Sequence, residues 1–354
     1  MRMDANKKHI FDEYIIQGEP SRRQRAENWQ IAIGLQDVDR LQNSSYLLDT
    51  AKQHIEGTLD LAAAQKRIAE YYQTEEGRKL TAARTDEADI VATRIMAVLA
   101  EEAFAFIPEE YLQLHKRLFE GVFPHAGKYR NVNILKREWV LDGESVVYAP
   151  AELLKETLEY DFSQERQFSY QGLSSQEAVK HICKFISGLW QIHPFMEGNT
   201  RTTAVFAILY LRKFGFTVNN EPFKRHSWYF RNALVRANYN NYVQGIFAST
   251  VFLERFFENL LFHGRNELKN RFCHILWKTE DRVQSATPKC KICTLEEAAV
   301  LEFLSQNPHA TQKMIAEKIG KSERTVKSLT KTLQEKNLLT RRNGKRNGVW
   351  EVQQ

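Results

Sequence analysis

A histidine, a glutamate, an asparagine and an arginine fall within nine consecutive positions of this 354-residue chain, in the run His193-Pro-Phe-Met-Glu-Gly-Asn-Thr-Arg201. Each suits phosphate chemistry in a different way. His193 titrates near neutral pH in water and can take a proton from an attacking hydroxyl. Glu197 offers hard oxygens of the kind that hold Mg²⁺ together with substrate phosphates. The Asn199 amide can donate to a phosphate oxygen, and Arg201 presents a planar fork that stays charged at neutral pH. The run lies between two apolar-periodic segments, Val179, Ile182, Phe185, Ile186 and Leu189 before it and Ala204 to Leu211 after it. It therefore reads as the tight connection between two core helices. Gly198, Asn199 and Thr200 then open the second helix, where unpaired N–H groups and the positive end of the dipole favour an anion. Phe195 reads as the side chain that turns into the core and fixes the loop.

The elements that must position this loop are mainly α-helical. At 354 residues, with 43% hydrophobic residues, the chain exceeds the usual single-domain size and two or three domains are expected. The periodicity suggests a helical N-terminal region (1–84), a helical core (85–262) that contains the loop 193–204, a charged connector (263–293) and a small separate unit (294–354). Asp142-Gly143, between the apolar runs Trp139-Val140-Leu141 and Val146-Val147-Tyr148, predicts a β-hairpin flap over 130–150. The longest uninterrupted apolar run, Ala204 to Leu211, is too short to span a bilayer. The charged N-terminus lacks the apolar core of a signal peptide, so a cytoplasmic protein without a membrane segment is expected. Four scattered cysteines argue against a disulfide scaffold. Cys290-Lys-Ile-Cys293, with Cys273-His274, has metal-ligand spacing, but half a zinc ribbon is more often two unrelated thiols.

The C-terminal unit reads as a winged helix-turn-helix. Helices are predicted over Leu295–Ser305, Thr311–Ile319 (Thr311 as N-cap) and Ser322–Lys336, followed by strands Leu338–Arg342 and Gly348–Val352 around Asn343-Gly344. Residues 311–346 hold 11 Lys/Arg against 3 Asp/Glu, a surplus of eight, whereas the whole chain carries only +6. Positive charge concentrated on such a unit is the footprint of DNA binding. Arg324 and Lys327 on the third helix are the expected groove contacts, and Arg341 and Arg342 are expected to grip phosphates from the wing. A protein-interaction winged helix with a solvated basic face is the competing reading.

The run at 193–204 resembles the signature of the Fic family, His-x-Phe-x-(Asp/Glu)-Gly-Asn-Gly-Arg-x-x-Arg, whose members transfer a nucleotide, usually AMP from ATP, onto a hydroxyl of a target protein. The resemblance implies that His193 is the general base and Glu197 the Mg²⁺ ligand. Asn199 would be part of the anion hole, and Arg201 would contact the distal phosphates. Two positions depart from the pattern: Thr200 stands for its second glycine and Ala204 for its second arginine. The segment from Glu110 to Arg130 also resembles the family, and its flap, here Trp139, Val140 and Leu141, would dock the target by strand addition. Asn232 and Asn238, in a helix resembling the closing helices of the fold, would border the nucleoside. Residues 28–72 resemble the antitoxin segments that restrain Fic enzymes with an acid set against the second arginine. Asp39 and Glu56 are the two candidates for that acid, and with Ala204 in place of the arginine the clamp is expected to lack its partner. The resulting expectation is a Fic helical core with a small hairpin flap and a winged helix, acting as a Mg²⁺-dependent protein adenylyltransferase on Ser, Thr or Tyr. The alternatives are a weakened Fic scaffold acting as a DNA-binding regulator, or a Fic enzyme transferring another nucleotide or a phosphate group.

Overall fold

The computed structural model describes residues 10–277, 295–319, 322–336, 338–342 and 348–352. These fall into two compact units that divide between Trp277 and Lys278. The first holds thirteen helices: α1 (Asp12–Gln17), α2 (Pro20–Gly34), α3 (Ser45–Glu56), α4 (Leu61–Tyr71), α5 (Glu75–Leu80), α6 (Thr85–Ala100), α7 (Pro108–Phe119), α8 (Leu154–Gln167), α9 (Ser175–Ile192), α10 (Asn199–Lys213), α11 (Glu221–Ala237), α12 (Val251–Phe262) and α13 (Asn270–Cys273). The second holds α14 (Leu295–Gln306), α15 (Gln312–Ile319), α16 (Glu323–Glu335) and an antiparallel pair, β1 (Leu339–Arg342) and β2 (Val349–Val352). No described helix is long and apolar enough to cross a membrane.

α9 and α10 carry the first unit. Ser174 and Glu177 form a reciprocal capping box that starts α9, and the helix stops at His193, whose backbone is left-handed (φ 50°). α10 is buried on all sides from Asn199 to Leu211, as expected of a helix at the centre of a domain. Its first turns are polar as well as buried, so every polar atom there needs a partner. Thr202 and Thr203 donate to the carbonyls of Gly198 and Asn199 at 3.0 and 2.8 Å. Gly198 is required at the junction: its φ is +78°, and a Cβ would lie 2.6 Å from the Phe119 ring.

The N-terminal region shares this core rather than flanking it. Trp29, Ile31, Ala32, Leu35 and Val38 are buried in the same cluster as α9 and α10. Asn28 and Arg212 both donate to the Leu99 carbonyl at the end of α6, at 3.2 and 2.8 Å, and Arg212 also donates to Asn28. The segment read as a connector is folded as far as Trp277: Asn266 is tied to Asn259, and the Ile275 amide donates to the Val140 carbonyl at 2.9 Å.

The flap does not form a strand ladder. Among the described residues the only strands are those of the wing. The chain does reverse at Asp142-Gly143, both with positive φ, but Trp139–Leu141 is a 3₁₀ turn. Val140 and Leu141 are fully buried while Trp139 is half exposed. The turn is held by Glu138, buried against Arg231, and by Ile275, so tertiary anchors replace the cross-strand pairing that the alternation suggested. In the second unit the expected elements are all present, including the Thr311 cap on the Met314 amide, around a core of Val300, Leu304, Ile315, Val326, Leu333 and Trp350.

Gly34 ends α2 where it meets the start of α11, and a Cβ there would lie 2.3 Å from the Phe223 carbonyl oxygen. Gly34→Ala is expected to lower stability by about 1–3 kcal/mol through overpacking, read as a shift in the urea midpoint. An unchanged midpoint would show that α2 does not bear on α11.

Candidate active site

The loop is held by five side chains. Asn199 accepts from the Phe195 amide at 3.0 Å and donates to the Phe195 carbonyl at 2.7 Å, closing the loop on itself. Phe195 is buried and stacks on the His115 ring at 3.7 Å. His115 accepts from the Gly127 amide through Nδ1 and therefore donates from Nε2 to the Glu197 carbonyl at 3.0 Å; burial pushes its pKa down to about 3. Arg130, buried under the loop, donates from Nε to the His193 carbonyl at 2.8 Å, and its own amide donates to Pro194. Thr200, where a glycine was expected, accepts from the Trp190 indole at 3.0 Å and so couples α10 to α9.

These contacts set the chemistry of His193. Its Nδ1 lies 3.2 Å from the Trp190 carbonyl. A carbonyl accepts only, so the proton sits on Nδ1 and Nε2 carries the lone pair. Burial, with the nearby Lys136, Arg231 and Arg130 cations, holds the imidazole pKa well below its ordinary value, and the ring is neutral at physiological pH. Tyr148 packs on it at 4.2 Å, and the buried Tyr148 hydroxyl has no hydrogen-bond partner among the described residues.

Four cations and four carboxylates surround the loop. Arg201, fully buried, pairs with Glu87 at 2.6 Å and Asp39 at 3.0 Å and donates to Gln36 at 3.2 Å. Arg231 of α11 pairs with Asp39 at 3.1 Å and with Glu138 at 3.0 Å. Lys136 pairs with Glu197 at 3.2 Å, and Arg84 with Glu87 at 2.8 Å. Burial alone would raise the Asp39 pKa, but Arg201, Arg231 and Lys136 outweigh it and hold the carboxyl below its usual value.

His193, Gly198, Asn199, Thr200, Arg201 and Asp39 are thus brought together. The expected absence of a partner for an acid clamp is corrected here: Asp39 reaches Arg201 and Arg231, so it does not need an arginine at 204, where Ala204 is fully buried. Glu56 lies elsewhere, accepting from the Tyr14 hydroxyl at 2.5 Å. The Asn199 side chain closes the loop with one of its two amide N–H donors. Asn232 donates to Asn270, and Asn238 to the Ser187 and Leu234 carbonyls. Arg324 and Lys327 are exposed on α16. Arg341 stacks on Trp350 at 4.7 Å and Arg342 pairs with Glu351 at 2.8 Å. Cys273 is buried, its thiol pushed up to about 12; Cys290 and Cys293 lie outside the described residues. Sequence reading passed over Arg231, Lys136, Glu87 and Gln36. Residues 36, 39, 87, 136, 201 and 231 converge from distant parts of the chain and leave no local pattern.

The fold is helical, and its buried central helix opens on a loop that runs from His193 to Arg201. Residues 105–211 match the Fic/DOC family and residues 298–340 match the winged helix-turn-helix DNA-binding family. The chain therefore carries a Fic/DOC domain followed by a winged helix-turn-helix. Among curated proteins it is similar to the protein adenylyltransferase VbhT of Bartonella schoenbuchensis, 26% identical over 129 residues, which is 36% of this chain and 25% of the relative. The similarity thus spans about a quarter of that protein's length. Among solved structures it is similar to the BepC protein of Bartonella tribocorum with bound AMPPNP (19% identity, 53% of this chain and 89% of that one, TM-score 0.39). It is also similar to a Fic family protein of Desulfovibrio desulfuricans (15% identity, 99% of this chain and 94% of that one, TM-score 0.43).

An unfolded carboxyl titrates near 4, and Asp39 lies lower in the folded state. Its contribution to stability is therefore complete above about pH 5 and is lost as pH falls through the lower, folded value. The urea midpoint of wild type is expected to exceed that of Asp39→Asn at pH 7, with the gap closing on acidification. A gap that widens towards acid would contradict the pairing.

Proposed function

We propose that the chain is a Fic-type transferase that moves AMP from ATP onto a Ser, Thr or Tyr hydroxyl of a target protein, with the Asp39 bridge restraining the site. The observation that carries the reading is a neutral, buried His193 with its lone pair on Nε2, beside the N-terminus of α10 and the Arg201 guanidinium. The named activity of the adenylyltransferase relative supports the choice of group transferred.

The acceptor oxygen attacks the α-phosphorus and forms the new P–O bond. The bond to the α–β bridging oxygen breaks, pyrophosphate leaves with the electron pair, and the hydroxyl proton passes to His193 Nε2. The Thr200 and Arg201 backbone amides and the Arg201 guanidinium stabilise charge on the phosphates. Negative charge brought beside His193 raises its basicity from the depressed value it has here. Glu197 suits a Mg²⁺ ion: its carboxylate is half exposed, and its ion-pair partner among the described residues is a single lysine. One carboxylate plus phosphates is an ordinary Mg²⁺ ligand set. When bound, the ion neutralises phosphate charge.

Because the N-terminal region shares the core, its deletion would disturb the fold, and point variants are the cleaner test. Asp39→Ala is expected to raise label transfer from ATP into target proteins by about tenfold or more, the equivalent of ~1.4 kcal/mol. In that background His193→Ala should reduce transfer by about 10²–10⁴ while ATP binding, measured by calorimetry, stays within about twofold, because no phosphate-gripping group is removed. Equal loss of both would make His193 a structural residue. Mass spectrometry of a modified target names the donor, since AMP, another nucleotide and phosphate add different masses.

A second reading, a DNA-binding regulator, is favoured by the basic surplus over 311–346 and by the exposure of Arg324 and Lys327. Duplex DNA binding by the full chain should then fall steeply with salt. Substitution at Arg324 or Lys327 should change sequence preference, whereas charge reversal at Arg342 should weaken all sequences alike. Salt-independent capture of a protein, without DNA binding at low salt, would make the unit an interaction module.

A further inference from the structure

The two oxygens of Asp39 are divided between two guanidiniums from different helices: Oδ2 lies 3.0 Å from Arg201 Nη2, and Oδ1 lies 3.1 Å from Arg231 Nη1. Both arginines are held independently of Asp39. Arg201 keeps Glu87 and Gln36 and lies 4.8 Å from the Phe119 ring. Arg231 keeps both Glu138 oxygens at 3.0 and 3.2 Å and lies 5.5 Å from the Trp228 ring. Removing Asp39 would therefore leave two oriented guanidiniums facing one gap. Each also has a buried Nε–H with no hydrogen-bond partner among the described residues, and buried donors without acceptors are costly and uncommon. Two unsatisfied donors beside one shared carboxylate point to an anion with more oxygens than Asp39 offers.

α10 can supply only one of these guanidiniums. Position 204, the next residue on that face after Arg201, is an alanine fully buried in the apolar core. The guanidinium that shares Asp39 with Arg201 comes instead from α11, as Arg231.

We infer that Arg231 is the second phosphate-gripping residue of this site, that Arg201 and Arg231 together take the distal phosphates of a nucleoside triphosphate, and that Asp39 occupies the place of a phosphate group. Paired guanidinium forks match phosphate geometry and outbind a lysine at the same place. The terminal phosphate carries more charge and more acceptor oxygens than a carboxylate, so it satisfies both arginines better than Asp39 does. Asp39 ends the 3₁₀ turn Leu35–Asp39, and its side chain is 18% exposed, so it can be displaced from the solvent side. This inference rests on the reading of the loop as a nucleotide site.

Inorganic tripolyphosphate tests the cradle without requiring transfer. By calorimetry at fixed salt, Asp39→Ala in the full chain is expected to bind tripolyphosphate at least tenfold more tightly than wild type. Adding Arg231→Gln should remove that gain, and adding Arg231→Lys should retain only part of it. AMP binding should be the same with Arg or Gln at 231. Thermal unfolding of each variant establishes that it is folded, and if the Gln variant is not, the Lys variant decides. Tripolyphosphate affinity unchanged by Asp39→Ala, or as tight with Gln or Lys at 231 as with Arg, would overturn the inference. Binding that follows Arg231 while no nucleoside triphosphate donates a group would overturn the transfer reading and leave the cradle standing. ATP-dependent transfer at an undiminished rate in Asp39→Ala/Arg231→Gln would do the reverse.

Discussion

A guanidinium buried at the first turn of a central helix is the constraint on which this molecule turns. Arg201 sits where the α10 dipole is positive, so the helix itself disfavours its charge, and leaving a buried charge unpaired costs several kcal/mol. The compensation comes from Gln36 and Asp39 on the turn after α2 and from Glu87 on α6. Those elements must therefore pack against α10. The close approach of α2 to α11 at Gly34, the tie of Asn28 and Arg212 on the Leu99 carbonyl, and the burial of Trp29 follow the same requirement. An N-terminal region that resembles a detachable restraint is, in this chain, part of the core.

The loop that follows from this arrangement is rigid for reasons distributed over several elements. Asn199 closes it, His115 and Arg130 hold its carbonyls, and the Thr200 hydroxyl accepts from Trp190. Keeping His115 and His193 neutral is a consequence of burial among cations. The neutral tautomer of one supports the loop, and that of the other exposes a lone pair. Arg201, Arg231, Lys136 and Arg84 are each paired with a carboxylate, whereas Arg130 is held by backbone carbonyls, so an anionic ligand at Arg201 or Arg231 enters by exchange for an acid.

The second unit obeys simpler rules. Its caps, helix lengths and strand pair follow local chemistry, and its core is small and separate. Two of its basic side chains are engaged within the wing, Arg341 on Trp350 and Arg342 on Glu351, while Arg324 and Lys327 on α16 point to solvent.

The sequence by itself determined what depends on neighbours along the chain. Apolar periodicity placed α9 and α10, their junction marked the loop, and a Ser or Thr before each of two C-terminal helices marked their starts. It also placed His193, Glu197 and Arg201 within one short stretch. The tertiary structure decided what depends on distant partners. The flap alternates in sequence as a hairpin does, but Glu138, Val140 and Leu141 are claimed by Arg231, Ile275 and the core, and no ladder forms. Ala204 suggested that an acid from the N-terminal region would find no arginine. Asp39 finds two, because a salt bridge requires only that charges meet in space, and residues 39, 201 and 231 meet through the packing of the turn after α2 against α10 and α11.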